Sequence, residues 1–160
     1  MKLTVADVFS FVGASLGFSS MILAVDGNFQ FAFMMLVFAA IIDFLDGRVA
    51  RKMNDGNDFG KNIDSICDIV SFGIAPAFLM GFFLSGAMRF LPFLIVVGGI
   101  YRLARYNTSR EKYYTGMPIT MNGIIVPLLF FVSLFNIWIL VLLSFLLSAL
   151  MVSRIKIRKL

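Results

Sequence analysis

The sequence predicts an all-α integral membrane protein of six transmembrane helices, and three observations carry that prediction. Of the 160 residues, 60% are hydrophobic and only 14% charged, with a mean hydropathy of +0.94, far from the composition of a soluble globular domain. The apolar residues fall into runs near the ~20 residues a helix needs to cross a bilayer, broken by short polar turns. Threaded as six spans, the chain places thirteen of its fourteen Lys and Arg on one side, as the positive-inside rule requires. Residues 1–160 are therefore expected to form a single membrane-embedded domain, with nothing left over for a second, soluble one.

The first span is Val8 to Val25, uncharged and ended by the turn signal Asp26-Gly27-Asn28. It lacks a clear small-x-small cleavage site and is followed by more membrane sequence, so a removed signal peptide is not expected. Phe29 to Ile42 begins the second span, whose helical register runs on through Arg51. Lys52 to Phe59 is the next loop. A third span runs from about Gly60 to Met88, with Asp64 and Asp68 in its first turns and Pro76 expected to kink it or to be tolerated by neighbouring helices. After a turn around Ser85 to Arg89, Phe90 to Arg105 makes the fourth span, and Asn107 to Gly116 is a polar loop. Ile119 to Val152 offers 34 uncharged residues, a helix of roughly 50 Å if continuous, against a ~30 Å hydrocarbon core. Two short spans hinged near Asn136 fit better.

The hinge also satisfies the charges. Lys2, Arg48, Arg51, Lys52, Lys61, Arg102, Arg105, Arg110, Lys112 and the tail cations Arg154, Lys156, Arg158 and Lys159 all come to the cytoplasmic side, leaving Arg89 alone opposite. Both termini are expected to be cytoplasmic. One unbroken last helix would throw the tail charges to the wrong face. Gly13 and Gly17 suggest close helix contact rather than a dedicated dimer motif. Trp138 and the tyrosines fit interfacial belts.

Chemistry is restricted by what is missing. There is no His and one Cys, Cys67, in an apolar stretch, so an intramolecular disulfide and a thiolate cluster are excluded and Cys67 is expected to pack rather than react. Acid–base work falls to carboxylates, of which eight are Asp and one is Glu111. Asp43 and Asp46 lie three apart at the end of span two, and Asp64 and Asp68 four apart at the start of span three, so each pair shares a helical face. The short loop makes the two spans antiparallel neighbours, focusing four carboxylates on one cleft at the cytoplasmic side. Ionisable residues at membrane depth point to function. Four close negative charges need compensation, and oxygen-only ligation points to two divalent cations, Mg²⁺, Mn²⁺ or Ca²⁺, able to clamp an in-line displacement at phosphorus.

Asp43, Asp46, Gly47, Ala50, Arg51, Gly60, Asp64 and Asp68 satisfy D-x-x-D-G-x-x-A-R, eight residues, then G-x-x-x-D-x-x-x-D. Chance would produce it about once in 10⁹ to 10¹⁰ starts. The pattern resembles the signature of the CDP-alcohol phosphatidyltransferases, membrane enzymes that move a phosphatidyl group from a CDP-lipid to an alcohol and release CMP. The resemblance implies that family's fold, with Asp43, Asp46, Asp64 and Asp68 holding two divalent cations, Mn²⁺ or Mg²⁺ with Ca²⁺ able to occupy the site. It further implies Asp68 as general base, Gly47, Ala50, Arg51 and Gly60 along the cytidine diphosphate, and a homodimer.

Three further segments, Ser71 to Ala77 (SFGIAPA), Arg102 to Asn107 (RLARYN) and Tyr114 to Pro118 (YTGMP), resemble the phosphatidylserine synthase branch. That implies CDP-diacylglycerol or CDP-archaeol as donor and L-serine as acceptor. Arg102 and Arg105, three apart on one face, could hold the serine carboxylate as a bidentate fork, with Tyr106 beside them; the alternative is that both arginines are orientation anchors. The branch often carries an Asn-rich first helix, whereas Val8 to Val25 offers only serines, so no acceptor contact is assigned to that helix. Glycerol 3-phosphate or an inositol phosphate as acceptor stays open, as does a divalent-cation transporter, although a permeation path would need acidic groups at several depths. Nucleic acid is not an expected partner.

Overall fold

The computed structural model describes residues 5–53, 58–108, 114–132 and 136–157, with the backbone alone described for 5–6, 46–53, 58, 114–115 and 156–157. The helices are α1 (Val5–Val25), α2 (Phe29–Met53), α3 (Asp58–Asp68), α4 (Ala75–Phe82), α5 (Phe93–Thr108), α6 (Asn122–Phe131) and α7 (Ile137–Val152). A π-helical turn, Ile69–Ile74, fuses α3 to α4, and 3₁₀ turns at Gly86–Phe90 and Ile119–Met121 precede α5 and α6. Among the described residues the only strands are a two-residue antiparallel ladder, β1 (Tyr114–Thr115) on β2 (Lys156–Ile157). Helical segments at Asp7–Val25, Phe59–Phe82 and Gly86–Thr108 are long and apolar enough to cross a membrane, and Phe29–Leu45, Ile119–Phe131 and Ile137–Val152 are shorter apolar helices. Large apolar side chains cover the outside as well as the core: Phe18, Phe31, Phe38 and Leu142 are all more than half exposed, the outside-in pattern of a protein solvated by lipid.

Helix α1 inverts ordinary amphipathicity. Its buried positions are Asp7, Ser10, Gly13, Gly17, Ser20 and Ala24, one helical face of small and polar residues, while Phe11, Phe18 and Ile22 face outward. Small residues let backbones approach closely. A Cβ on Gly17 would lie 2.7 Å from the Cα of Ser71, so α1 is pressed on the π turn at a point where only glycine fits. Cys67, one turn earlier, is buried, and its carbonyl accepts a hydrogen bond from Ser71 Oγ at 3.0 Å, a packing role as expected.

The π turn is explained by Pro76. Proline has no N–H to donate to the carbonyl four residues back, which is that of Phe72. In its place Asn122, fully buried at the start of α6, donates from Nδ2 to Phe72 O at 2.8 Å. The neighbouring helix thus repairs the bond Pro76 removes, the tolerance expected from the sequence. The wider turn itself was not foreseen.

Three expected boundaries move. The third helix ends at Phe82 rather than Met88, because the chain turns at Gly86, whose φ is +56°. The fourth starts at Phe93, after Pro92, and keeps Asn107 and Thr108 in its last turn. The tail is not simply a cationic extension: Lys156–Ile157 pairs with the far side of the expected polar loop. The helix breaks before Asn136, where the hinge was expected. Helix α6 ends at Phe131 and Asn136 caps α7, its side chain accepting from Trp138 N–H at 3.0 Å. The core is aliphatic and aromatic, with Phe33 of α2 stacked on Phe130 of α6 at 4.2 Å.

Asn122→Ala is expected to lower stability by about 1–3 kcal/mol, the cost of orphaning a buried carbonyl. Pro76→Ala restores the missing N–H, so the same Asn122→Ala change should cost clearly less in a Pro76→Ala background. Denaturation of the four proteins in detergent checks this; equal costs in both backgrounds would sink the explanation.

Candidate active site

Three of the four signature aspartates meet. Asp43 comes from α2, Asp64 and Asp68 from α3, and one carboxylate oxygen from each lies within 4.8 Å of the others. Asp64 and Asp68 are separated by one turn on one helical face, and Asp43 reaches them from α2. All three are half-buried. The backbone of α2 carries Asp46, Gly47, Ala50 and Arg51 onward in its last turns; their side chains lie outside the described residues. Gly60 sits in the first turn of α3 and is partly exposed.

Asp64 and Asp68 stand between two spaces. On one side is a narrow crevice under α1, lined by Ser10, Gly13, Asp43, Cys67 and Ser71. On the other is a cleft of about 250 Å³ under α5, lined by Lys61, Ser65, Arg102, Leu103, Tyr106, Pro118 and Thr120. Ser10 Oγ donates to Asp64 Oδ1 at 3.0 Å, and the buried carboxylate of Asp7 lies within Coulombic range of Asp64. Arg102 is buried at 7% exposure and acts on Asp43 from the cleft side. Ser65 Oγ accepts from Asn107 Nδ2 at 2.9 Å and donates to Lys61 O at 3.0 Å, tying α3 to α5. Lys61 Nζ lies 4.6 Å from the centre of the Tyr106 ring, a cation–π contact.

The donor set fits divalent cations. It is all carboxylate oxygen, on rigid helices, with a hydrogen bond from Ser10 orienting one ligand as a supporting residue of a metal site does. Among the described residues the ligand group holds neither Cys nor His.

Arg105 is corrected. Three residues on from Arg102, it was expected to share the cleft, but its guanidinium donates to the carbonyls of Val152 and Ser153 at 3.1 and 2.9 Å, and to that of Met151 at 3.4 Å. Those are the orphan acceptors at the end of α7, and a cation there also complements the helix dipole. The adjoining segment is tied to the same place: Gly116 N–H donates to Ile155 O at 3.0 Å and Met117 N–H to Leu150 O at 3.2 Å. Gly116 has φ +80°, and a Cβ there would collide with the Met151 carbonyl, so only glycine serves. Pro118 and Thr120, which follow, are thereby set on the cleft.

Asp7, Ser10 and Lys61 are site residues that sequence reasoning missed. The signal for the first two was present, since Asp7, Ser10, Gly13 and Gly17 recur at helical spacing in an otherwise apolar span.

Residues 3–155 match the family described as CDP-alcohol phosphatidyltransferase. The chain belongs to this family. Among curated relatives, the archaetidylserine synthase of Methanothermobacter thermautotrophicus is 41% identical over 128 residues, 74% of this chain and 54% of that protein. CDP-diacylglycerol–serine O-phosphatidyltransferase of Methanocaldococcus jannaschii is 37% identical over 130 residues, 80% of this chain and 64% of that protein. The Bacillus subtilis protein of the same name is 36% identical over 138 residues, 81% and 75% of the two chains. The chain thus spans only about half to two thirds of the first two. With the family shown, the membrane character of the helices follows from that membership.

Replacing Asp43, Asp64 or Asp68 with Asn should weaken Mn²⁺ binding at least 10-fold, read by electron paramagnetic resonance of the purified protein. Ser10→Ala should weaken it by about 10-fold, the low end for a residue that orients a ligand, with Ser10→Thr close to the original. Unchanged affinity in Ser10→Ala would refute the supporting role.

Proposed function

We propose that the protein transfers the phosphatidyl or archaetidyl group of a CDP-lipid to the hydroxyl of L-serine and releases CMP. The observation that carries this is the meeting of Asp43, Asp64 and Asp68, the last two of them on a small cleft that also holds a buried arginine, Arg102. The names of the relatives supply the direction, and a 250 Å³ space suits a small amino acid better than a bulky polyol. Residues 1–160 act as one membrane-embedded catalytic domain in this proposal, a six-span, multi-pass protein of the cell membrane with both termini and the active site cytoplasmic. Homodimerisation is carried over from the family.

Asp43, Asp46, Asp64 and Asp68 would hold two divalent cations, Mg²⁺ or Mn²⁺. When bound, such ions neutralise charge on the diphosphate and on the departing CMP. Gly47, Ala50, Arg51 and Gly60 would line the cytidine diphosphate, with the Arg51 fork matched to phosphate oxygens. Arg102 and Tyr106 would bind the serine; Arg105, engaged on α7, acts at one remove by holding the segment that carries Pro118 and Thr120. Asp68 faces the cleft and takes the proton from the serine hydroxyl as it attacks. The oxygen forms its bond to the β-phosphorus while the bond to the CMP oxygen breaks, so CMP leaves with that electron pair and Asp68 keeps the proton until solvent removes it. Without His and with Cys67 packed away, a covalent phosphatidyl-enzyme has no evident nucleophile.

Purified protein with CDP-lipid and Mn²⁺ or Mg²⁺ should release CMP only when serine is added, and chelation should stop release reversibly. A CDP-lipid made chiral at the β-phosphorus should give inverted product. Equal use of serine, glycerol 3-phosphate and inositol phosphate would contradict the acceptor, and retained configuration, or exchange of labelled CMP without serine, would contradict direct attack.

A further inference from the structure

We propose that Lys61 is a specificity-determining residue of the acceptor site, its ammonium pairing with the carboxylate of the amino acid while the hydroxyl faces Asp68. This rests on the serine-transfer reading. From the sequence, Lys61 is one more cytoplasmic anchor, but the structure turns it into the cleft, where it shares one space with Asp64, Asp68 and Arg102. The face of the Tyr106 ring, at 4.6 Å, is the contact its ammonium makes among the described residues. An ammonium held by an aromatic face keeps its donors available to an anion, and Tyr106 belongs to the same RLARYN segment that supplies Arg102.

The charge layout orients the acceptor. The carboxylate of a zwitterionic amino acid entering the cleft finds its cationic partners in Lys61 and Arg102, the two basic side chains that line this space. Lys61 lies two helical turns before Asp68 on α3, toward the aqueous end of the helix. An acceptor whose hydroxyl meets Asp68 therefore directs its carboxylate toward Lys61, with Arg102 on the α5 side of the same space. The backbone of Lys61 is fixed as well, since its carbonyl accepts from Ser65 Oγ, which Asn107 holds in turn. Lys is suited to this position as a point charge on a flexible stem, whereas Arg102 is buried at the α5 side of the cleft.

The test is steady-state kinetics of the full-length protein in detergent, comparing Lys61→Met and Lys61→Arg with the original. Lys61→Met should raise the serine KM by about 10- to 100-fold, the worth of a hydrogen bond to a charged group. The CDP-lipid KM and the Mn²⁺ affinity should stay within twofold, which also shows that the variant is folded. The preference for serine over serine methyl ester should fall by a similar factor, and Lys61→Arg should recover part of it. An unchanged serine KM, or a rise in the CDP-lipid KM in its place, overturns the assignment and puts Lys61 outside the cleft chemistry or on the diphosphate. If the original protein accepts the methyl ester equally, recognition of the carboxylate fails while serine transfer stands; if it releases CMP without serine, the serine reading itself fails and this inference falls with it.

Discussion

Half-buried carboxylates from two helices, brought within 4.8 Å in a chain that is 60% hydrophobic, impose a demand that the rest of the fold meets. Charge in such surroundings is expensive unless it is compensated. Compensation comes from every side: Ser10 donates to Asp64 from α1, Arg102 acts on Asp43 from α5, and the all-oxygen donor set has the chemistry of a divalent-cation site. The inverted face of α1 follows from the same demand. Its small residues let the helix come close enough for Ser10 to donate to Asp64, with Gly17 at the tightest point.

The π turn directly after Asp68 is the second device. π turns inside helices tend to mark functional sites, and here one separates α3, which carries Asp64 and Asp68, from the apolar α4. Its cost is contained by Asn122, which supplies Phe72 with the donor that Pro76 lacks. Farther out, Arg105 and Gly116 join α5, α7 and the loop behind the cleft through carbonyls at the end of α7. The two arginines of RLARYN thus do different work: Arg102 belongs to the cleft, and Arg105 fixes one of its walls.

The helix sequence, the break at Asn136 and the carboxylate cluster were legible because each has a local signature: apolar run length, the impossibility of a 34-residue uncharged span, and spacings of three and four. What was not legible depends on how helices meet. The split roles of Arg102 and Arg105 turn on where the end of α7 lies, which no spacing within α5 encodes. The pairing of Tyr114–Thr115 with Lys156–Ile157 joins segments forty residues apart with no alternation long enough to betray a strand. Lys61 looked like an anchor because cations at span ends usually are; only the Tyr106 face distinguishes it. Asp7 and Ser10 were an oversight of a different kind, since their helical repeat in a span of Phe, Val and Ile could be seen in the sequence itself.

The most direct measurement is anomalous scattering from crystals of the protein grown with Mn²⁺. Convergence of Asp43, Asp64 and Asp68 on a two-cation centre predicts two manganese peaks about 4 Å apart, in contact with the carboxylates of these three residues and of Asp46. Peaks elsewhere, or no manganese bound among these carboxylates, would contradict the account.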